Sequence, residues 1–339
     1  MPSMDLQSPV RRDDARTVLV MVAALAVPLV VTLNSVKSPA VLVMTSDNPT
    51  PYGYTWSLAL WVVPLTVLVA WLQRSPAFHL PRLAFWRTVA TLAALGVLLD
   101  VALGDAFFEF PNHGATLGIN LWGLEVASMS MVQNVPVEEL AFYFFGVAFT
   151  LVLYLWCDLH WFGLYGRSLR DRLPPRGARI RFEPRALLLG LALIGVAFAY
   201  KRLCSSVPDG FPAYFAFLVL VAFVPACMVF PVVRHRVNWR AFSFTALVMF
   251  TISTWWEAMI AFPYQWWTYR DEVMIGVFIR AWNGLPIEEP CLWLLVSFTT
   301  VLVFEANLLH LLARRSPDEL LFVRREQGHG PASSPASPP

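Results

Sequence analysis

Two short motifs in this chain put a pair of glutamates at the start of an apolar segment. One motif reads Pro-Val-Glu-Glu over residues 136–139, and the other reads Pro-Ile-Glu-Glu over residues 286–289. Proline suits the first position of a helix, because its missing N–H would have no partner there. The two glutamates then lie in the first turn, about 100° apart around the helix axis. We expect one of each pair to face the protein interior. The four residues are Glu138, Glu139, Glu288 and Glu289.

A further acidic residue ends the apolar segment that comes before each motif. Asp105 and Glu257 both begin the pattern acid-Ala-x-x-x-Phe-Pro. The connecting hairpin should bring Asp105 close to the first glutamate pair and Glu257 close to the second. Desolvation and like-charge repulsion favour the protonated form of one clustered carboxyl group, whereas a helix N-terminus favours the charged form. If desolvation dominates, each cluster holds a general acid; the alternative is a solvated glutamate at a helix start.

Aromatic side chains crowd the sequence around both acidic clusters. Glu289 and Trp293 are four residues apart, as are Glu139 and Tyr143, so each pair lies on one helix face. Isolated tryptophans often form an interfacial belt in a membrane protein. Beside an acid they can also stabilise a carbocation, by about 2 kcal/mol or more for a desolvated cation–π contact. The candidate cation-stabilising residues are Trp256, Trp267, Tyr269, Trp293 and Tyr143.

The composition shows what kind of protein must position these groups. Of 339 residues, 57% are hydrophobic and 14% are charged, against about 25% charged in soluble domains. The mean hydropathy is +0.57. These values exclude a soluble enzyme, a nucleic-acid-binding protein and a disordered scaffold, and they indicate a multispanning membrane protein. The four cysteines have no CxxC spacing and the histidines are scattered, so we expect neither a metal nor a cofactor site.

About eight apolar stretches are long enough to cross a bilayer, which predicts an all-α integral membrane fold. They lie near residues 17–36, 54–73, 84–104, 136–157, 186–204, 211–233, 240–262 and 286–310. Arginines concentrate before the first stretch, in alternate loops and after the last one. By the positive-inside rule both termini are cytoplasmic, with the protein in the cell membrane.

The acidic patterns recur in the same order in both halves of the chain, which predicts an internal duplication. Each half carries an even number of spans, so the fold should be two parallel four-helix repeats. We place the repeats at residues 1–160 and 186–315. An Arg-rich cytoplasmic linker at 161–185 joins them, and a Gly-, Pro- and Ser-rich tail at 316–339 is expected to be disordered.

These motifs together resemble the integral-membrane lycopene cyclases of carotenoid biosynthesis, which occur as two small subunits or one fused chain. The family half-motif reads Trp-Asp, Trp-x-Tyr, then Pro-x-Glu-Glu with following aromatics. The second half fits with Trp256-Glu257, Trp267-Thr-Tyr269 and the motif at 286–289, Glu257 replacing the family Asp. The first half lacks the Trp-x-Tyr, and Leu-Gly stands where a Trp would precede Asp105. The resemblance covers roughly residues 54–157 and 211–310.

The resemblance implies an acid-initiated, redox-neutral ring closure of the end groups of a linear carotenoid. It implies two sets of catalytic carboxyl groups, the first being Asp105, Glu138 and Glu139 and the second Glu257, Glu288 and Glu289. It also implies a lipid-soluble polyene substrate taken from the bilayer, other carotenoid-pathway enzymes as partners, no nucleic acid and no cofactor. A GxGxxG motif of the flavin-type cyclases is absent from the sequence.

Two alternatives keep the same acids. Water capture of the carbocation would make the protein a carotenoid hydratase, and another terpenoid substrate would make it a different membrane cyclase. A proton-coupled transporter also fits parallel repeats and intramembrane acids.

Overall fold

The computed structural model describes residues 50–74, 80–160 and 184–312. Within these ranges the chain is mostly helical, and seven helices are long and apolar enough to cross a membrane. They are α1 (Gly53–Arg74), α2 (Arg82–Phe107), α3 (Val137–His160), α4 (Pro184–Cys204), α5 (Ala213–Val233), α6 (Trp239–Ala261) and α7 (Glu288–Leu312). The protein is thus a helical, multi-pass membrane protein.

The predicted spans match these helices within a few residues at each end, because continuous apolar runs of this length form buried or lipid-facing helices. The predicted first span, at 17–36, lies outside the described residues. So do the tail at 316–339 and nearly all of the linker at 161–185. The Arg-rich segments that predict the orientation fall largely in those same parts of the chain.

Helices α3, α6 and α7 form the centre of the bundle. Half or more of the apolar stretch of each is buried within the protein, whereas α1, α2, α4 and α5 are mostly exposed on their outer faces. Helix α3 packs against α1, α2 and α6, and α7 packs against α2, α5 and α6. Lipid would cover the outer faces, where Leu98, Leu188 and Val196 are more than 60% exposed.

Short strands in the loops are the main departure from the all-α prediction. Strands β2 (Asn120–Glu125) and β3 (Ser130–Pro136) form an antiparallel hairpin that packs on α2. The other strands have two residues each: β1 (Phe108–Glu109), β4 (Thr268–Tyr269), β5 (Phe278–Ile279) and β6 (Leu285–Pro286). These pairings satisfy the backbone polar groups of loops that leave one span and enter the next.

One of these pairings joins the two halves of the chain. Strand β1 directly follows α2, and β4 follows α6; Phe108 pairs with Tyr269 and Glu109 pairs with Thr268. The N–H of Arg270 also donates to the carbonyl of Phe107 at 3.0 Å. The ends of α2 and α6 are therefore held side by side, and the starts of α3 and α7 lie at the same level.

The loops that lead into α3 and α7 have matching local geometry. Each contains a 3₁₀ turn, His113–Ala115 or Asp271–Val273, and then a glycine with positive φ, Gly118 at 75° or Gly276 at 87°. In each, the residue before the first glutamate of the motif donates its N–H back to the loop, from Val137 to the carbonyl of Ile119 or from Ile287 to the carbonyl of Val277, at 2.9 Å.

Candidate active site

A cavity of about 230 Å³ lies among α1, α2, α3, α5, α6 and α7, close to the end of the bundle where α3 and α7 begin. Its wall is made largely of Leu, Val, Phe and Trp side chains. Four carboxyl groups interrupt this apolar wall, two from each half of the chain. They belong to Asp100, Glu139, Glu257 and Glu289, and all four side chains are buried.

The two acids of the second half are joined directly. Glu257 lies in the π-helical turn Glu257–Ala261 that ends α6, and Glu289 lies in the first turn of α7. Their carboxyl groups lie close enough to interact with each other, and the hydroxyl of Tyr214 on α5 lies close enough to interact with Glu289. Two neighbouring carboxyl groups can share one proton, because a carboxylate can only accept a hydrogen bond whereas a protonated carboxyl group can donate one. The sequence predicts that Glu257 lies close to the second glutamate pair, and in the structure it lies close to Glu289.

The first half has a corresponding arrangement with a different acid from the predicted one. The hydroxyl of Tyr54 on α1 donates to Oε1 of Glu139 at 2.5 Å. Asp100, on α2, is close enough to Glu139 to interact with it electrostatically. Oδ2 of Asp100 is buried and has no hydrogen-bond partner among the described residues.

Asp105 lies at the end of α2, away from the cavity wall. One of its oxygens accepts from the N–H of Val126 at 3.0 Å, and the other lies 3.4 Å from the guanidinium of Arg270. The expected contact between Asp105 and the first glutamate pair is therefore replaced by a contact with the loops. Five residues of helix turn the side chain about 140° beyond a full revolution, so Asp100 and Asp105 face different directions. Asp100 could have been found in the sequence, since it lies inside the predicted span 84–104.

The two glutamates of each Pro-x-Glu-Glu motif have different environments, as their 100° spacing predicts. Glu139 and Glu289 line the cavity, whereas Glu138 and Glu288 do not. Glu138 accepts from the N–H of Leu117 at 2.7 Å and from the hydroxyl of Thr55 at 2.5 Å. Glu288 accepts from the N–H of Ile275 at 2.5 Å. The first glutamate of each motif thus anchors the loop before its helix, and the second faces the cavity.

Aromatic rings form a continuous wall between the two carboxyl pairs. Trp256 is at the centre: its ring centroid lies 4.7 Å from that of Trp267, 5.6 Å from Phe142 and 4.5 Å from Trp61. Trp293 packs edge-on to Phe142 at 5.7 Å. All the predicted cation-stabilising residues line the cavity. Trp61 and Phe142 belong to the same aromatic cluster. The sequence alone did not indicate this for Trp61, because an isolated tryptophan in a membrane span is typical of an interfacial belt.

The two cavity tyrosines that were predicted bring the two halves together. Tyr143 is close enough to Asp100, Glu139 and Glu289 to interact electrostatically with all three. The hydroxyl of Tyr269 accepts a hydrogen bond from Nε1 of Trp267 at 3.0 Å. Burial, and then the nearby Glu257, raise the pKa of Tyr269 well above its usual value. Tyr269 therefore stays a neutral phenol, which can donate a proton in a hydrogen bond.

The arrangement can hold an apolar molecule away from water while several carboxyl and phenol groups face it. Such a site can exchange protons with an alkene and shield a cation with aromatic faces. No family model, no curated protein and no solved structure matches this chain.

Proposed function

We propose that this protein is a membrane enzyme that cyclises the end groups of a linear, lycopene-type carotenoid by acid-initiated, redox-neutral ring closure. The observation that carries the proposal is the meeting of two carboxyl pairs in one apolar, aromatic-walled cavity. A polar or charged substrate would lose its hydrogen bonds to water and find few partners on this apolar wall, whereas an apolar polyene needs none. The resemblance of the motifs around Glu257 and Glu289 to the integral-membrane lycopene cyclases names the substrate class.

The reaction balances with the substrate and the side chains alone. A carboxylic acid gives its proton to the terminal C=C bond of the polyene, which forms a C–H bond and leaves a tertiary cation. The next double bond attacks this cation, and the new C–C bond closes a six-membered ring. A carboxylate removes a neighbouring proton, and the electron pair of that C–H bond forms the ring double bond. Product and substrate are isomers of equal mass.

The aromatic wall would stabilise the cation between these steps. Trp256, Trp267 and Trp293 present ring faces and edges to the cavity, and ring faces attract cations most strongly where water is excluded. The same wall keeps water from capturing the cation. A site that admitted water would produce an alcohol, as in the hydratase alternative, and another terpenoid of similar shape could replace the carotenoid.

The finer architecture belongs to the same proposal. Eight spans in two parallel four-helix repeats would place both termini on the cytoplasmic side of the cell membrane. The matching turns before α3 and α7 support the duplication, as do the matching pairs Tyr54–Glu139 and Tyr214–Glu289. A substrate dissolved in the bilayer would enter from the lipid, and neighbouring carotenoid-pathway enzymes are the expected partners.

To test the proposal, the chain is expressed in a bacterial host that accumulates lycopene. The pigments are separated by chromatography and their masses are measured by mass spectrometry. Cyclic products of unchanged mass are expected. The Glu289→Gln variant should lose them, whereas Asp105→Asn, whose carboxyl lies outside the cavity wall, should retain them. Unchanged lycopene with well-expressed protein would contradict the proposal, and products that have gained water would favour the hydratase.

A proton-coupled transporter is the second candidate, because carboxyl groups that share a proton inside a bundle are also found in proton carriers. The proximity of the carboxyl groups of Glu257 and Glu289 favours it. It predicts proton uptake into vesicles that depends on Glu289 and an unchanged pigment in the lycopene host. Cyclic pigment that disappears in Glu289→Gln would contradict it.

A further inference from the structure

The cavity is elongated along the helices, and its four carboxyl groups lie near one end. On α2 and α6, which run towards this end, the wall begins at Leu92 and Met249, each eight residues before the acid of its helix. On α3 and α7, which run away from it, the wall continues to Val147 and Thr300, eight and eleven residues beyond the cavity glutamate. At 1.5 Å per residue, the cavity is a channel about 12–16 Å deep, which reaches about half-way through a hydrocarbon core of about 30 Å.

Helix α3 leaves this channel open along its length. Gly146 is buried and lines the cavity seven residues after Glu139, yet a Cβ at Gly146 would meet no atom within 4 Å. Protein interiors are close-packed, so a buried backbone position beside open space is unusual. A water molecule needs several polar partners, and the channel wall is largely apolar. The channel therefore suits an apolar chain.

The channel is closed between α2 and α5 at its carboxyl end and open further along. At the carboxyl end, the ring centroid of Phe107 on α2 lies 5.1 Å from that of Tyr214 and 5.3 Å from that of Phe217, both on α5. Two to three turns before Phe107, Leu95 lines the cavity and is nevertheless 39% exposed. A side chain that borders both the cavity and the outer surface marks the rim of an opening.

Helix α5 is irregular at the opposite rim. Residues Val219–Phe223 form a π-helical turn, a feature that is frequent at functional sites. Pro225 has no N–H to donate to the carbonyl of Val221, which favours this departure from the α-helix. Val221 and Ala222 line the cavity from this turn and are half-buried. Because α7 packs against both α2 and α5, the opening is a slit between those two helices with α7 behind it.

We propose that the substrate binds in this channel with its long axis along the bundle. One end group lies among the four carboxyl groups, and the rest of the chain leaves for the lipid through the slit between α2 and α5. This proposal rests on the proposed cyclase function, to which it adds the path and orientation of the polyene. A lycopene-type chain is longer than the channel, so its second end group stays outside the protein. One ring therefore closes per binding event, and a monocyclic product is released before a bicyclic one forms.

The first test measures binding apart from catalysis. The full-length Glu289→Gln protein, which should not cyclise, is purified from a lycopene-accumulating host, and the lycopene retained per chain is measured by chromatography. Adding Gly146→Leu should lower the retained lycopene by at least about tenfold, because the leucine side chain fills the channel. Gly195→Leu is the matched control. A Cβ at Gly195 also meets no atom within 4 Å, but Gly195 is exposed on α4 and outside the cavity wall.

A second pair of variants tests the slit and serves if Gly146→Leu does not fold. Ala222→Trp places a large ring at the rim and should lower both the retained lycopene and the rate of cyclisation. Leu220→Trp is its control, since Leu220 is 44% exposed in the same turn and does not line the cavity. Linear dichroism of the retained lycopene in oriented membranes should show absorption polarised along the membrane normal.

The outcomes separate the two proposals. Lycopene that is retained along the membrane normal and lost from the filled variants, with wild-type protein that never cyclises it, would overturn the cyclase function and leave the channel. Wild-type cyclisation that Gly146→Leu and Ala222→Trp match would overturn the channel alone. Retained lycopene that lies in the membrane plane would do the same. With lycopene in excess, bicyclic product that forms without free monocyclic product would overturn the release between the two ring closures.

Discussion

The hydroxyl of Tyr54 donates a hydrogen bond to Glu139, 85 residues further along the chain, and this bond is buried at the edge of the cavity. It ties α1 to the start of α3. On the other side, the hydroxyl of Tyr214 on α5 lies close enough to interact with Glu289 at the start of α7. Each cavity glutamate thus lies against a tyrosine near the start of a different span, and in the first half the hydrogen bond fixes the direction in which the carboxyl group points.

Replacing this donor should destabilise the fold. Tyr54→Phe leaves a buried carboxyl oxygen without its partner, and a loss of this kind costs about 1–3 kcal/mol. We expect a lower midpoint of thermal unfolding in detergent. Tyr200→Phe on α4 is the matched control, since Tyr200 is 41% exposed and should tolerate the change. Equal midpoints for Tyr54→Phe and wild type would show that the hydrogen bond contributes nothing.

The spans could be predicted from the sequence, but their faces could not. Continuous apolar runs fix where the helices lie to within a few residues, as with the predicted 84–104 and the observed Arg82–Phe107. A helix that is apolar on all sides has no pattern to indicate which side meets the protein and which meets lipid. This is why the tyrosine partners Tyr54 and Tyr214 were missed.

The candidate site could be predicted only in part, because the sequence does not show which side of each helix faces the cavity. The Pro-x-Glu-Glu motifs point to the helix starts, and the aromatic residues after them do line the cavity. The sequence aligns Asp105 with Glu257 because both precede a Phe-Pro pair at the same spacing. In the structure, however, the acid of the first half that lines the cavity is Asp100. In the second half a π-helical turn lies between Glu257 and that Phe-Pro, and in the first half α2 runs on to Phe107 before β1. Equal spacing in the sequence therefore corresponds to different positions in space.

A buried lysine on α4 should matter far more than its charged neighbour. Lys201 is fully buried, and its Nζ donates to the carbonyl of Met274 at 2.5 Å in the loop before α7. Lys201→Ala removes a charged hydrogen-bond donor, which costs about 1.5–3 kcal/mol. Arg202→Ala is the control, because Arg202 is exposed and lies 3.9 Å from the exposed Asp209. Thermal unfolding of the two variants compares them, and similar midpoints would contradict the prediction.

The ion pair at the end of α2 should contribute little to stability. The guanidinium of Arg270 lies 3.4 Å from Asp105 and 3.2 Å from Glu109, and part of each side chain is in contact with solvent. Such pairs contribute about 0.2–1 kcal/mol and weaken with salt. A double-mutant cycle with Arg270→Gln and Asp105→Asn should give a coupling in that range that shrinks at high salt. A coupling that is larger and insensitive to salt would show that the pair is shielded from water.

Two glycines of the cavity wall should respond in opposite ways to alanine. A Cβ at Gly96 would lie 2.5 Å from Cδ1 of Tyr143, so Gly96→Ala must push this ring away from the carboxyl pairs. Overpacking of this kind costs about 1–3 kcal/mol, and the displaced phenol should also reduce ring formation.

A Cβ at Gly146 meets no atom within 4 Å, and alanine favours a helix over glycine by about 1 kcal/mol. Gly146→Ala should therefore unfold at an equal or higher temperature than wild type. An unchanged midpoint for Gly96→Ala would show that Tyr143 is not packed on α2 as described, and a lower midpoint for Gly146→Ala would show that there is no room for a methyl group beside Gly146.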